Sequence, residues 1–337
     1  MICMESLLCD EVCPASPASP AVTTETIPGN NFGSKSYCRS ILMYTTKEEY
    51  EQALTICMEK EKSYMPEPNY LDNLCSNNLV IARLKSIQWF IKSSSRLNLS
   101  LGTVFYAANY LDRFISTNHC NVRNTWKSDL ISMYMYVFSG MEIWMVELVS
   151  IACLSIASKF SDTYNPSMLE IQMEDLEHSF EPSTIQRVEM MVLNALGWRL
   201  ASTTAYSYLE LFSWFLDSLK PQLHEEIIAL LNNLLLRAIS DSKFLDYRQS
   251  VVAISALRCS LDKIQLSAAI SGNAYLTCLT SLLDHDQKGE LVKCHKMMEE
   301  QYSSVDCLHR LRDHEDFHYC PSSPTTVGFQ NENLTKI

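Results

Sequence analysis

Glu147-Leu-Val-Ser-Ile-Ala-Cys-Leu-Ser-Ile-Ala-Ser-Lys-Phe160 is the stretch on which the fold turns. At a helical period its apolar residues (Leu148, Ile151, Ala152, Leu154, Ile156, Ala157) fall on nearly every side. A helix of that kind must be ringed by other helices. Outward from it, apolar residues between Asn78 and Leu200 recur at spacings of three and four with few Gly or Pro, the helix period and not the strand period. The pattern predicts helices from Ala82 to Lys92, with Leu84, Ile87 and Ile91 on one face, and from Leu101 to Ile115, with Val104, Ala108, Leu111 and Ile115 on one face. A charged, mildly apolar run from Lys47 to Lys62 reads as a short helix closed by Pro66-Glu67-Pro68. Ser183 is the expected N-cap of a helix from Thr184 to Leu196, and Gly197 its stop.

The same texture returns in Thr203 to Leu216, Leu223 to Ser240 and Ser250 to Asp262, then less clearly in Leu276 to Leu283 and Glu290 to Tyr302. No strand-type alternation and no Gly-rich phosphate loop occurs in the sequence. The expectation is an all-α chain with two domains of roughly 100 residues. It is flanked by a flexible Ser/Thr/Pro-rich N-terminal tail and a polar tail from about Ser303. Leu130 to Ala157 is long enough and apolar enough to resemble a membrane span, but Glu142 and Glu147 and the Ser139-Gly140 break favour a connector followed by a core helix, so no span is expected.

The formal net charge is -12, with 27 Lys+Arg against 39 Asp+Glu, so the concentrated basic surface that nucleic acid requires is missing and the expected partners are proteins. Thirteen cysteines lie scattered from Cys3 to Cys320 without a CxxC pair, which suits reduced thiols in an intracellular protein. The first twenty residues carry acids and prolines, not the pattern of a signal or transit peptide, so the sequons at Asn98 and Asn333 carry little weight.

The sharpest enzymatic pattern is His314-Glu-Asp-Phe-His318, the HExxH arrangement that places two histidines one helical turn apart around zinc. A zinc hydrolase built on it would need an apolar helix and a third ligand; no His follows, and the flanks run polar into Pro321 and Pro324. No bound metal or cofactor is therefore expected, and no hydrolase elbow or kinase signature is present. In the N-terminal tail, Leu7, Cys9 and Glu11 form an L-x-C-x-E pattern whose fixed positions share one side of an extended chain and suit a partner's groove. Ser16, Ser19 and Ser323 precede prolines, the minimal requirement of proline-directed kinases.

Three stretches in order resemble the cyclin box: Tyr110-Leu-Asp-Arg-Phe-Ile115, Val149 to Lys159, and Ile185 to Leu193 leading into Gly197-Trp-Arg-Leu200. Pro166 to Asp175, followed by Phe180-Glu-Pro182, is similar to plant D-type cyclins, a family that carries L-x-C-x-E near its N-terminus for retinoblastoma-type proteins. The resemblance implies two tandem five-helix cyclin folds, over 46–200 and 201–302, between tails at 1–45 and 303–337. It implies a non-catalytic subunit that activates a cyclin-dependent kinase at the G1/S transition, works in the nucleus and cytoplasm, and meets retinoblastoma-type proteins and kinase inhibitors.

Lys159 and Glu189 match the family's kinase-contacting lysine and glutamate, while Arg83, Trp89 and Leu148 match structural positions of the box. By periodicity alone, Lys159 ends a core helix and Glu189 sits on a solvated face. Where the family often has an aspartate partner for the arginine, this chain has Gln88, which predicts a weaker brace. Phe160-Ser161-Asp162 lacks one acid of the family's usual pair, and Lys85 and Ser86 replace apolar residues of its substrate-docking patch. An apolar insertion over about 121–143 departs most from the family. With Gln88, it motivates an alternative: a cyclin-fold adaptor that no longer activates a kinase.

Overall fold

The computed structural model describes residues 46–121, 143–172, 176–216, 219–264 and 270–312, with the backbone path alone over 118–121, 143, 213–215, 270–273 and 302–312. Among the described residues there are helices and connecting turns and no strand, as the apolar period requires. The α-helices are α1 (Lys47–Glu61), α2 (Tyr70–Ser76), α3 (Val80–Leu97), α4 (Leu101–Asn121), α5 (Ile143–Ser161), α6 (Met168–Gln172), α7 (Pro182–Ala195), α8 (Ser207–Leu216), α9 (Pro221–Ser240), α10 (Gln249–Lys263), α11 (Ile270–Ser281) and α12 (His285–Arg312). The five helices α3–α7 and the five helices α8–α12 form the two tandem cyclin-type folds, with α1 and α2 preceding them.

Local chemistry sets most of these boundaries. Thr46 and Glu49 form a capping box at the start of α1: the Glu49 amide donates to Thr46 Oγ1 at 3.2 Å and the Thr46 amide to Glu49 Oε2 at 3.3 Å. At α7 the sequence expectation is off by two residues. Ser183 is not the N-cap; Glu181 is, and Pro182 opens the first turn, where its missing N–H costs nothing. The stop falls as expected: Gly197 takes φ +60, its amide bonds to the Asn194 carbonyl, and the Trp198 amide reaches Leu193, which together make a Schellman closure. The short helices α2 and α6 went unanticipated because each is too brief to show a period. In addition, α12 continues to Arg312, past the expected end at Tyr302.

Two cores organise the chain. In the first, α5 lies at the centre and packs against α4, α7, α3 and α6; Ile151, Ala152, Cys153, Leu154 and Ala157 are fully buried. This is the ringed helix the opening stretch demanded. Trp144–Ser161 is long and apolar enough to cross a membrane by length and composition, yet two-thirds of it is buried inside the fold. In the second core α10 takes the central place, touching α12, α9, α11, α8 and α1, with Val251, Ala253, Ile254, Ala256, Leu257 and Leu261 fully buried. Although α1 precedes the first fold in sequence, its apolar face of Tyr50, Leu54 and Met58 is buried in the second core.

Candidate functional site

The first fold is pinned by a buried cation. Arg83 on α3 donates from Nε to Asp112 Oδ1 at 2.7 Å and from Nη2 to Oδ2 at 2.9 Å, a two-pronged pairing with a carboxylate on α4. Tyr70 on α2 donates to the same Oδ1 at 2.8 Å, and Arg83 Nη1 reaches the Ile239 carbonyl on α9 at 3.0 Å. One guanidinium thereby ties helices of both folds together. Burial, then the Asp112 charge, pushes the Tyr70 phenol well above its usual range, so it stays a donor. The expected brace through Gln88 is wrong: Gln88 is exposed, and the acid comes from a different helix. Asp112 is the residue the sequence reading missed. Its signal was available, since position 112 lies four residues after Ala108 on the apolar stripe of α4, where a carboxylate needs a partner.

Leu148 and Trp89, the other structural positions, are both buried in the first core. Phe90 packs beside Trp89, with ring centroids 5.7 Å apart. From the end of α5, Lys159 Nζ reaches both carboxylate oxygens of Glu189 on α7, at 2.6 and 2.9 Å. The lysine side chain is 42% exposed and that of the glutamate 11%. The periodicity reading of Glu189 as a solvated position is therefore incorrect; it is buried beneath the lysine and fixes its head. Beside each member of the pair stands an exposed apolar residue, Phe160 at 44% and Met190 at 49%. Tyr106 meets the Phe160 ring edge-on at 5.6 Å, which orients it.

Residues 52–201 match the family described as Cyclin, N-terminal domain, and residues 203–318 match Cyclin, C-terminal domain. The chain belongs to the cyclin family. Its similarity within the family is to plant D-type cyclins: it is 29% identical to Cyclin-D1-2 of Oryza sativa subsp. japonica over 73% of this chain and 64% of the relative. It is 28% identical to Cyclin-D1-1 of Arabidopsis thaliana over 72% of this chain and 65% of that one. The chain thus spans just under two-thirds of the length of these relatives. In fold it is similar to a viral cyclin from herpesvirus saimiri, with a TM-score of 0.51 and 14% identity over 66% of this chain and 85% of that one.

In this cyclin, Asp162 after α5 has a structural role. Its Oδ1 accepts from the Ser100 amide at 2.9 Å and its Oδ2 from the Thr103 hydroxyl, holding the start of α4 against the end of α5. The groove between α3 and α5 is lined by apolar Ala82, Trp89, Val146 and Leu176, with Lys85 and Ser86 placing polar groups at the positions of the two replacements. Lys85 pairs with Glu177 at 2.7 Å, Glu147 accepts from the Glu177 amide at 2.6 Å, and Ser86 is buried and bonded to Ser150 at 2.8 Å. Leu7, Cys9, Glu11, Ser16, Ser19, Ser323, His314 and His318 lie outside the described residues, as does nearly all of the 121–143 insertion.

Proposed function

We propose that this cyclin is the non-catalytic, activating subunit of a cyclin-dependent serine/threonine kinase. The observation that carries the proposal is the Lys159–Glu189 pair with its partly exposed lysine, each member followed in sequence by an exposed apolar residue, Phe160 and Met190. Solvent alone gives little reason to hold a lysine in place beside two bared apolar side chains; a protein partner that buries Phe160 and Met190 and accepts from the lysine's third N–H does. The work is positioning: the docked surface holds the kinase's mobile helix so that its glutamate meets the lysine that orients ATP phosphates. Arg83, Asp112, Trp89 and Leu148 keep that surface in shape.

The L-x-C-x-E residues Leu7, Cys9 and Glu11 are proposed to bring in a retinoblastoma-type substrate, placing the complex at the G1/S transition in the nucleus. Phosphorylation at Ser16, Ser19 or Ser323, and a kinase inhibitor as a further partner, fit the same assignment. The adaptor alternative loses one of its two grounds, because Asp112 supplies the charge that Gln88 lacks.

The test is capture of a cyclin-dependent kinase by the wild-type chain and by Lys159→Ala/Glu189→Ala, followed by phosphorylation of a retinoblastoma fragment, with Cys9→Ala as a third arm. The proposal expects kinase capture to fall at least about tenfold in the double variant, equivalent to about 1.4 kcal/mol. Cys9→Ala is expected to keep kinase capture and lose preference for the retinoblastoma fragment. Capture without activation would favour the adaptor.

A further inference from the structure

We propose that Asp262, His295 and Glu299 form a binding site for one divalent transition-metal ion, zinc being the cation their donors fit, which clips α12 to α10. The three residues come from the central helix of the second core and the helix packed most extensively against it. Asp262 lies in the last turn of α10, and His295 and Glu299 stand one turn apart on α12. His295 Nε2 is 3.5 Å from Asp262 Oδ2, and Nδ1 is 3.5 Å from Glu299 Oε2. One ligand atom from each residue lies within 4.8 Å of the other two. Ligand atoms on a tetrahedral zinc, each about 2.0–2.2 Å from the metal, stand about 3.3–3.6 Å apart. An ion takes one ring nitrogen, so with Nε2 and Asp262 as ligands the exposed Glu299 carboxylate swings from the Nδ1 side to complete the set.

The imidazole supplies the second, independent observation. His295 is only 9% exposed, and its Nε2 is buried without a hydrogen-bond partner while directed at Asp262. A buried ring nitrogen left without a bond costs free energy, and a cation between it and the carboxylates would remove that cost. The donor set is one imidazole nitrogen and two carboxylates. That combination selects zinc and neighbouring transition metals over magnesium or calcium, and three protein ligands leave a position for water. The negative end of the α10 dipole also favours a cation beside Asp262. The competing cation is Arg258, whose Nε is 3.9 Å from Asp262 in an exposed pair of little strength, so displacing it is cheap. This site shares no residue with the His314/His318 pattern, and it departs from the expectation that the chain binds no metal.

The probe is zinc itself, titrated against a chromogenic chelator into the reduced, metal-stripped full chain. Wild type is compared with Asp262→Asn/Glu299→Gln, whose two positions are exposed enough for the fold to survive, as circular dichroism checks. Wild type should take up one equivalent that the double variant binds about a hundredfold more weakly, and zinc should raise the thermal midpoint of wild type alone. Cobalt in the same equivalent should give weak visible bands without thiolate charge transfer. Equal zinc affinity in both proteins, thiolate absorption in the first cobalt equivalent, or no equivalent in wild type would overturn the proposal. The last result would leave the contacts of the imidazole with the two carboxylates as the whole explanation of the cluster.

Discussion

Each fold buries a carboxylate, and the two are satisfied in opposite ways. Asp112 in the first fold sits in a two-pronged pair with Arg83, charge against charge. Glu61, at the end of α1 and fully buried against the second, meets only neutral donors: the Tyr208 hydroxyl at 2.8 Å and the amide and hydroxyl of Ser250, each at 2.7 Å. Ser250 lies in the first turn of α10, so Glu61 caps that helix from a residue 189 positions away and profits from its positive end. Burial nevertheless dominates and raises the Glu61 carboxyl above its usual range, against the hydrogen bonds from Ser250 and Tyr208. A guanidinium neutralises the cost of burying an anion; hydrogen bonds only reduce it.

If this contrast is right, the largest effect follows from removing one charge of the first pair. Asp112→Asn leaves Arg83 buried without its counter-ion and should destabilise the chain by about 3–5 kcal/mol, read as a lower midpoint in urea unfolding. A loss below about 1 kcal/mol would mean that water reaches the guanidinium. Next in size, Glu61→Ala strands three donors and should cost about 2–3 kcal/mol, releasing α1 from the second core in hydrogen exchange.

Burial of Glu61 also makes stability depend on pH. Because the Glu61 carboxyl is raised in the folded state, its contribution to stability is full below the ordinary glutamate value of about 4.3 and is lost as pH rises through the folded value. Relative to Glu61→Gln, wild type should therefore lose stability as pH rises above about 4.3; a gain over that rise would reverse the assignment. Lys159→Ala should change stability by less than about 1 kcal/mol, since the lysine is partly exposed. The same change should still weaken kinase capture, separating a contact residue from a structural one. Smallest of all, Gln88→Asp should shift unfolding by less than about 0.5 kcal/mol, because position 88 faces solvent and Arg83 already has its acid.

Much of the fold was legible residue by residue. Leu148 to Ala157 required a central helix because its apolar residues leave no polar side, and Gly197 marked the end of α7 because it can adopt the positive φ of a Schellman closure. At the start of α7, by contrast, Ser183 is the stronger side-chain cap by composition alone, yet the helix opens at Pro182. The site was half legible. Lys159 and Glu189 could be picked out by resemblance, but their partnership is 30 residues long in sequence and appears only when α5 and α7 lie side by side.

What the amino acids settled alone is therefore the local and periodic part: helices throughout, one of them central, and membership of the cyclin family through ordered short motifs. Tertiary structure decided which polar groups meet. Arg83 finds Asp112 across 29 residues instead of residue 88 five positions away, and Glu61 finds Ser250 in the other fold. The reason is physical: apolar burial is non-directional and leaves its mark in spacing along one helix, whereas a hydrogen bond or ion pair forms at about 3 Å in a fixed direction, between groups that only packing brings together.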